Sequence, residues 1–212
     1  MRIDVKGVIV PNDDTWIYDL FGIQNVSPGK IHEALKEANG EDLDIDINSG
    51  GGDVFAGSEI YSAIRDYRGI VNIHVVGIAA SAASVIACAG KSDISPTAQM
   101  MVHNVSSYAQ GDYHDMEKTS EILQNANRAI AAAYIDKSGM SEEDALALMD
   151  KETWLTASDA VAYGLIDSIA ENKNATNSGQ VRLAAAVGDM LPTSVINKMQ
   201  ERRQALLNFF TE

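Results

Sequence analysis

Twice in its first half the chain runs a strand pattern into glycine and then directly into a helix pattern. That repeated unit restricts the fold more than any other feature. In the first copy, Leu43-Asp44-Ile45-Asp46-Ile47-Asn48 alternates apolar and polar residues like a half-buried strand. Ser49-Gly50-Gly51-Gly52-Asp53 follows as a loop, then a helix to about Tyr67 that carries Phe55, Ile60, Tyr61 and Ile64. In the second copy a strand from Ile70 to Val76 leads through Gly77-Ile78-Ala79-Ala80-Ser81 into a helix that ends near Gly90. Alternating strands and helices specify an α/β fold with parallel strands. If the two strands are neighbours, Gly51, Gly52 and Ser81 meet at one sheet edge.

Ser81 stands at the strand-to-helix turn, where a side chain is held clear of the backbone and the next N–H is free to bind an oxyanion. It is the candidate nucleophile. A serine hydroxyl is a weak nucleophile and needs a base within hydrogen-bond reach, itself oriented by a carboxylate. His103 is the best placed base, because it ends the short apolar strand Met100-Met101-Val102 and precedes the polar Asn104, Ser106 and Ser107. The other histidines have blander readings. His32 lies on the polar side of a helix whose apolar stripe is Ile31, Leu35 and Ala38, His74 is mid-strand, and His114 sits among acids at a helix start. A purely structural Ser81 and His103 remains the alternative on local pattern.

The glycine loop lacks the Lys-Ser/Thr ending of a phosphate-binding P-loop, and Phe55 occupies the last position that G-x-G-x-x-G requires. With a candidate nucleophile on the next unit, the Gly51 and Gly52 N–H groups read as donors to a carbonyl oxygen, and a plain tight turn is the competing reading.

At this point the residues resemble a family. Asn48-Ser49-x-Gly51-Gly52, Gly77-x-Ala79-Ala80-Ser81, Met101-Val102-His103-Asn104 and Trp154-Leu155-Thr156-Ala157 with its continuation to Asp167 are similar to the four landmark blocks of the Clp protease proteolytic subunit family. They stand in that family's order over about residues 44 to 169. The resemblance implies a ClpP/crotonase-like spiral of repeated strand–helix units with a protruding handle helix, and a serine endopeptidase of the hydrolase class. It implies Ser81 as nucleophile, His103 as base, and the backbone N–H groups of Gly52 and Ala82 as oxyanion donors. The family's acid position, two residues before the aromatic Trp154, holds Glu152 rather than Asp, with Asp150 as the nearby competitor. Gly50 stands where the family usually has proline, and Ala82 where methionine is common.

The opening strand Met1 to Val10 and the extra C-terminal stretch resemble the ClpP-related head maturation proteases of phages and prophages. That likeness implies limited processing of capsid or scaffold protein and argues against degradation gated by an AAA+ ATPase partner. The family likeness further implies a homo-oligomer, a heptameric ring that can pair into a double ring. Two other classes stay open: a crotonase-like acyl-CoA enzyme, for which Ser81 and His103 would be incidental, and a catalytically inactive ring or shell component.

The remaining patterns organise the chain. A Ser27-Pro28 start predicts a helix with Ile31, Leu35 and Ala38 inward. A helix from Asp112 to about Lys137 has polar first turns and apolar later ones, the candidate handle. Ser141 opens a further helix, another runs from about Ala157 to Tyr163, and Gly164 ends it before a last strand from Leu165 to Ile169. Residues 1–170 read as the peptidase domain, 171–180 as a polar linker rich in Asn, and 181–212 as a helical extension with Val195, Met199, Leu206 and Phe210 near helical spacing.

With 212 residues, 46% of them hydrophobic, the chain can bury one substantial core. A net formal charge of −14 argues against a nucleic-acid surface, since phosphate binding needs clustered cations. No apolar run reaches the length of a membrane span and no export signal stands at Met1, so a cytoplasmic protein is expected. Cys88, alone in an apolar helix, reads as an inert buried thiol. No cofactor and no metal are expected.

Overall fold

The structure is a computed structural model and describes residues 1–171. The linker at 171–180, past its first residue, and the helical extension at 181–212 lie outside the described residues. Within Met1–Glu171 the elements are β1 (Arg2–Ile9), α1 (Thr15–Leu20), β2 (Asn25–Val26), α2 (Pro28–Ala38), β3 (Leu43–Gly52), α3 (Val54–Arg65) and β4 (Val71–Ala80). There follow α4 (Ala82–Ala87), β5 (Lys91–Ile94), β6 (Gln99–Val102), α5 (Tyr113–Ser138), α6 (Glu142–Asp150), β7 (Thr153–Thr156), α7 (Ala157–Ala162) and β8 (Ser168–Ile169).

The main path of the sheet runs β2-β1-β3-β4-β5-β8, and every pairing along it is parallel. The fold is therefore mixed α/β with a mostly parallel sheet, as the repeated strand–helix unit predicts. The alternation read in β3 is real: Leu43, Ile45 and Ile47 are buried, while Asp44, Asp46 and Asn48 point the other way and stay partly exposed. The core is continuous on the apolar side, where β1, β3 and β4 bury Val5, Ile45, Ile47, Ile73 and Val75 against Ile31 of α2, Ile60 and Ile64 of α3, and Ile86 of α4. Burial of such aliphatic side chains is the main favourable term in a domain of this size.

Two glycine positions depart from the expected loops. The segment Ser49–Gly52 is not a loop but the end of β3, paired with β1 at Val8↔Gly51 and Ile9↔Gly52. The pairing survives because β1 shifts register between Lys6 and Val8, and because Ser49 Oγ donates to Gly7 O at 2.6 Å. Likewise Gly77 does not end β4, which runs on to Ala80 by changing partner. Asn72 to Val75 pair with β5, and Ile78 to Ala80 pair with β6.

Helix ends follow their caps. Ser27, Asp53, Asp112, Ser141 and Thr156 each accept a backbone N–H of the first turn. In α5 the residues that are buried, Ala131, Ala133 and Tyr134, all lie in its later turns, and Tyr113, Met116 and Ile122 in its first half are exposed. The last strand is shorter than expected. The N–H groups of Leu165 and Ile166 both turn back to Ala160 O, so only Ser168–Ile169 pairs with β5. α1, β5 and β7 were not foreseen, because each is a short segment with little periodicity.

Candidate active site

Register brings the candidate residues together. β4 and β6 are parallel with Ala80 opposite Met101, and the Ser81 N–H donates to Met101 O at 2.9 Å. The residue after β4 and the residue after β6 therefore emerge side by side. Those residues are Ser81 and, one step beyond Val102, His103. His103 Nε2 lies 2.8 Å from Ser81 Oγ, a hydrogen bond in which the hydroxyl donates when Nε2 is unprotonated. Both residues are half-buried at the mouth of a cleft that Gly52, Val54, Ala82, Val85, Ile130 and Tyr134 also line.

Ser81 itself has φ 55° and ψ −126°, a conformation that L-residues avoid and that costs roughly 1–3 kcal/mol. Such a sharp turn between strand and helix is what lifts the hydroxyl off the sheet. The neighbouring strand end must leave room for it. A Cβ on Gly51 would lie 2.7 Å from Ser81 Cβ and 2.7 Å from Ala80 O, and one on Gly52 would lie 2.0 Å from Ile9 O. Both glycines also have positive φ, 96° and 153°. Glycine is thus required at both positions by close approach as well as by backbone shape.

The three oxyanion candidates differ. The Gly51 N–H donates to Ser49 Oγ at 3.1 Å, so it is engaged within its own strand. Ala82 is the first residue of α4, where an N–H has no partner inside the helix. Gly52 and Ala82 both face the cleft that holds Ser81 and His103.

The acid is not joined to the pair in this structure. Among the described residues the only hydrogen bond of the His103 ring is the one to Ser81. Asp150 accepts from Asn104 Nδ2 at 2.7 Å instead. Glu152 occupies a turn between α6 and β7 with φ 48°, its side chain exposed and making no hydrogen bond among the described residues. The segment after His103 is nevertheless anchored: Val105 N–H donates to Asn127 Oδ1 of α5 at 2.8 Å, and Asn104 reaches α6 through Asp150.

The discarded candidates behave as solvated or structural groups. His74 sits between Asp93 (2.9 Å) and Asp44 (3.3 Å) on the polar face of the sheet, far along β4 from Ser81. Burial alone would lower its pKa, but the hydrogen bonds and charges of Asp93 and Asp44 outweigh that and raise it. Cys88 is buried and its pKa is pushed up to about 12 by desolvation, so the thiol is inert. Among the described residues no cluster of His, Cys, Asp or Glu could hold a metal ion, and no helix is long and apolar enough to cross a membrane.

Local pattern missed three contributors, Ser49, Ser84 and Tyr134. Ser84 Oγ donates to Ser81 O at 2.6 Å and meets Tyr134 OH at 2.8 Å. Tyr134 is 50 residues away in the chain and reads locally as one more apolar position of a helix stripe, so no nearby signal marks the contact.

Comparison with known proteins adds an independent line. A family model described as Clp protease matches residues 30–173. The chain is 36% identical over 133 residues to an ATP-dependent Clp protease proteolytic subunit of Bacteroides fragilis, covering 61% of this chain and 64% of the relative. It is 34% identical over 133 residues to the subunit of Bacteroides thetaiotaomicron, 61% of this chain and 60% of the relative. To that of Ligilactobacillus salivarius it is 35% identical over 136 residues, 63% of this chain and 69% of the relative. The match thus spans about three fifths of the length of the Bacteroides relatives.

Proposed function

The chain belongs to the Clp protease family, and from that premise we propose that it is a serine endopeptidase whose nucleophile is Ser81. The observation that carries the reading is the 2.8 Å contact between Ser81 Oγ and His103 Nε2 at a strained strand-to-helix turn. A crotonase-like acyl-CoA enzyme has no use for that contact.

In the proposed reaction His103 Nε2 takes the Ser81 proton as Oγ attacks the scissile carbonyl carbon. The carbonyl oxygen gains negative charge between the N–H groups of Gly52 and Ala82, two residues that line the cleft beside Ser81. His103 then returns the proton to the departing amine, leaving an acyl group on Ser81, and water reverses the same steps to release it. Glu152 is the proposed partner of His103 Nδ1. It holds the family's acid position and makes no competing side-chain hydrogen bond among the described residues, whereas Asp150 is engaged by Asn104. The role needs the Glu152 carboxylate within hydrogen-bond reach of the ring, a contact this structure does not hold.

The cleft beside Ser81 is walled by Val54, Val85 and Ile130, which suits an apolar side chain next to the cut bond. The natural reaction proposed is limited processing of phage capsid or scaffold protein inside a ring of copies, and this finer part is supported by sequence resemblance alone.

The test is hydrolysis of short chromogenic peptides by the purified protein. Ser81→Ala and His103→Ala are each expected to lower kcat/KM by at least about 10³-fold. Retention of hydrolysis by Ser81→Ala, or turnover of an acyl-CoA unaffected by it, would overturn the reading.

A further inference from the structure

The geometry points to Ser84 and Tyr134 as positioning residues that hold and polarise the Ser81–Ala82 peptide, the unit whose N–H is the proposed oxyanion donor. This rests on the reading of Ser81 as nucleophile and goes beyond it to two residues outside the Ser-His-acid set.

A peptide group is planar, with its C=O and N–H pointing in opposite directions. The carbonyl of Ser81 and the N–H of Ala82 belong to one such group, so fixing the oxygen on one side aims the hydrogen on the other. Ser81 O accepts twice from the same residue, from Ser84 N–H at 2.9 Å and from Ser84 Oγ at 2.6 Å. The Ala82 N–H is thereby turned toward the cleft that Ala82 lines with Gly52 and His103.

The direction of the next hydrogen bond follows from proton counting. A serine hydroxyl has one hydrogen, and that of Ser84 is given to Ser81 O. The contact between Ser84 Oγ and Tyr134 OH, 2.8 Å, must therefore be donated by the tyrosine. A relay results, from Tyr134 O–H to Ser84 Oγ–H to Ser81 C=O. Ser84 and Tyr134 are buried, 0% and 2% exposed, so water does not compete for either hydroxyl. Burial also pushes the Tyr134 phenol well above its ordinary pKa, which keeps it a donor across the working range.

Two consequences bear on catalysis. The relay holds Ser81 at its strained φ and ψ, which surrounding structure must over-determine. It also draws electrons toward the Ser81 oxygen, which strengthens the Ala82 N–H as a donor. Such cooperative strengthening is about 10–30% per bond. Both effects grow in importance when negative charge develops on the substrate oxygen, so they belong to the transition state more than to the bound substrate.

The decisive variant is Tyr134→Phe, which keeps the buried ring and deletes only the donor. Ser84→Ala and the double variant complete a cycle. Each would be purified as the full chain and compared with wild type for kcat and KM on a chromogenic peptide, for affinity toward a peptide boronate that forms a tetrahedral adduct, and for melting temperature. Tyr134→Phe is expected to lower kcat about 10-fold with KM within about twofold, short of the ~10²–10³ that complete loss of a donor costs. Boronate affinity should fall in step with kcat. Because the two residues act in series, the double variant should be no slower than Ser84→Ala. Wild-type kcat and boronate affinity in folded Tyr134→Phe would overturn the relay, as would additive losses in the double variant that track melting temperature. If Ser81→Ala still hydrolyses the peptide, the peptidase reading itself has failed, and the relay with it.

Discussion

Ser81 and Gly51 are best understood as a pair, because the turn that exposes one side chain leaves no space for a Cβ on the other. Gly51→Ala would place a Cβ 2.7 Å from Ser81 Cβ and would also impose a side chain at φ 96°. We expect it to cost about 2 kcal/mol or more in stability, of the order of other strained or overpacked sites, and to reduce hydrolysis far more than melting temperature alone accounts for. Peptide turnover and thermal unfolding on the same preparation would check this. At the acid, the proposal predicts that Glu152→Gln lowers kcat/KM by at least about 10-fold, since an amide cannot stabilise the imidazolium as a carboxylate does. Asp150→Asn should lose less, and the reverse ranking would move the role to Asp150. That Ser81 and His103 would meet was readable because turn chemistry and a strand end leave local marks. The acid was less so, because the orientation of one side chain at φ 48° depends on torsions that no sequence pattern records.

Element pairing decides where those residues meet. β4 changes partner from β5 to β6 midway, and this switch carries Ser81 past the sheet's main path to stand beside His103. The alternation in β3 forecast which face would be apolar, and it is borne out from Leu43 to Asn48. The switch of partner and the continuation of β3 through three glycines were not forecast, since pairing with the distant strand β1, not local propensity, keeps Gly51 and Gly52 in the sheet. On the polar face, His74 of β4 bridges Asp44 of β3 and Asp93 of β5, with Asn72 and Arg2 also acting on Asp44. Its folded pKa is raised above the ordinary 6.5, so its contribution is fully present below about pH 6.5 and is lost as pH rises through the folded value. The carboxyl of Asp44 is lowered, chiefly by the His74 hydrogen bond, so its contribution is lost on acidification through its own folded value. The melting temperature of wild type should therefore exceed that of His74→Gln most on the mildly acidic side of neutrality and converge with it at higher pH. A difference that does not vary with pH would contradict the assignment.

For the whole molecule, the described residues contain the complete set proposed for chemistry, all within one compact unit, Met1–Glu171. Truncation after residue 180 is accordingly predicted to leave peptide hydrolysis intact, and loss of hydrolysis with the subunit arrangement unchanged would contradict that. In the first half of α5, Tyr113, Met116 and Ile122 are exposed large apolar residues. Fold class was legible because two strand–helix units suffice to call a parallel sheet. Its strand order was not, because β6 and β7 attach off the main path through contacts between residues far apart in the chain. The central claim is that His103 activates the Ser81 oxygen, and the most direct measurement is the site of covalent labelling by an alkyl fluorophosphonate near neutral pH. The account predicts one adduct per chain, mapped to the peptide holding Ser81 and lost in folded His103→Ala. An unlabelled Ser81 in folded wild type, or equal labelling without His103, would contradict it.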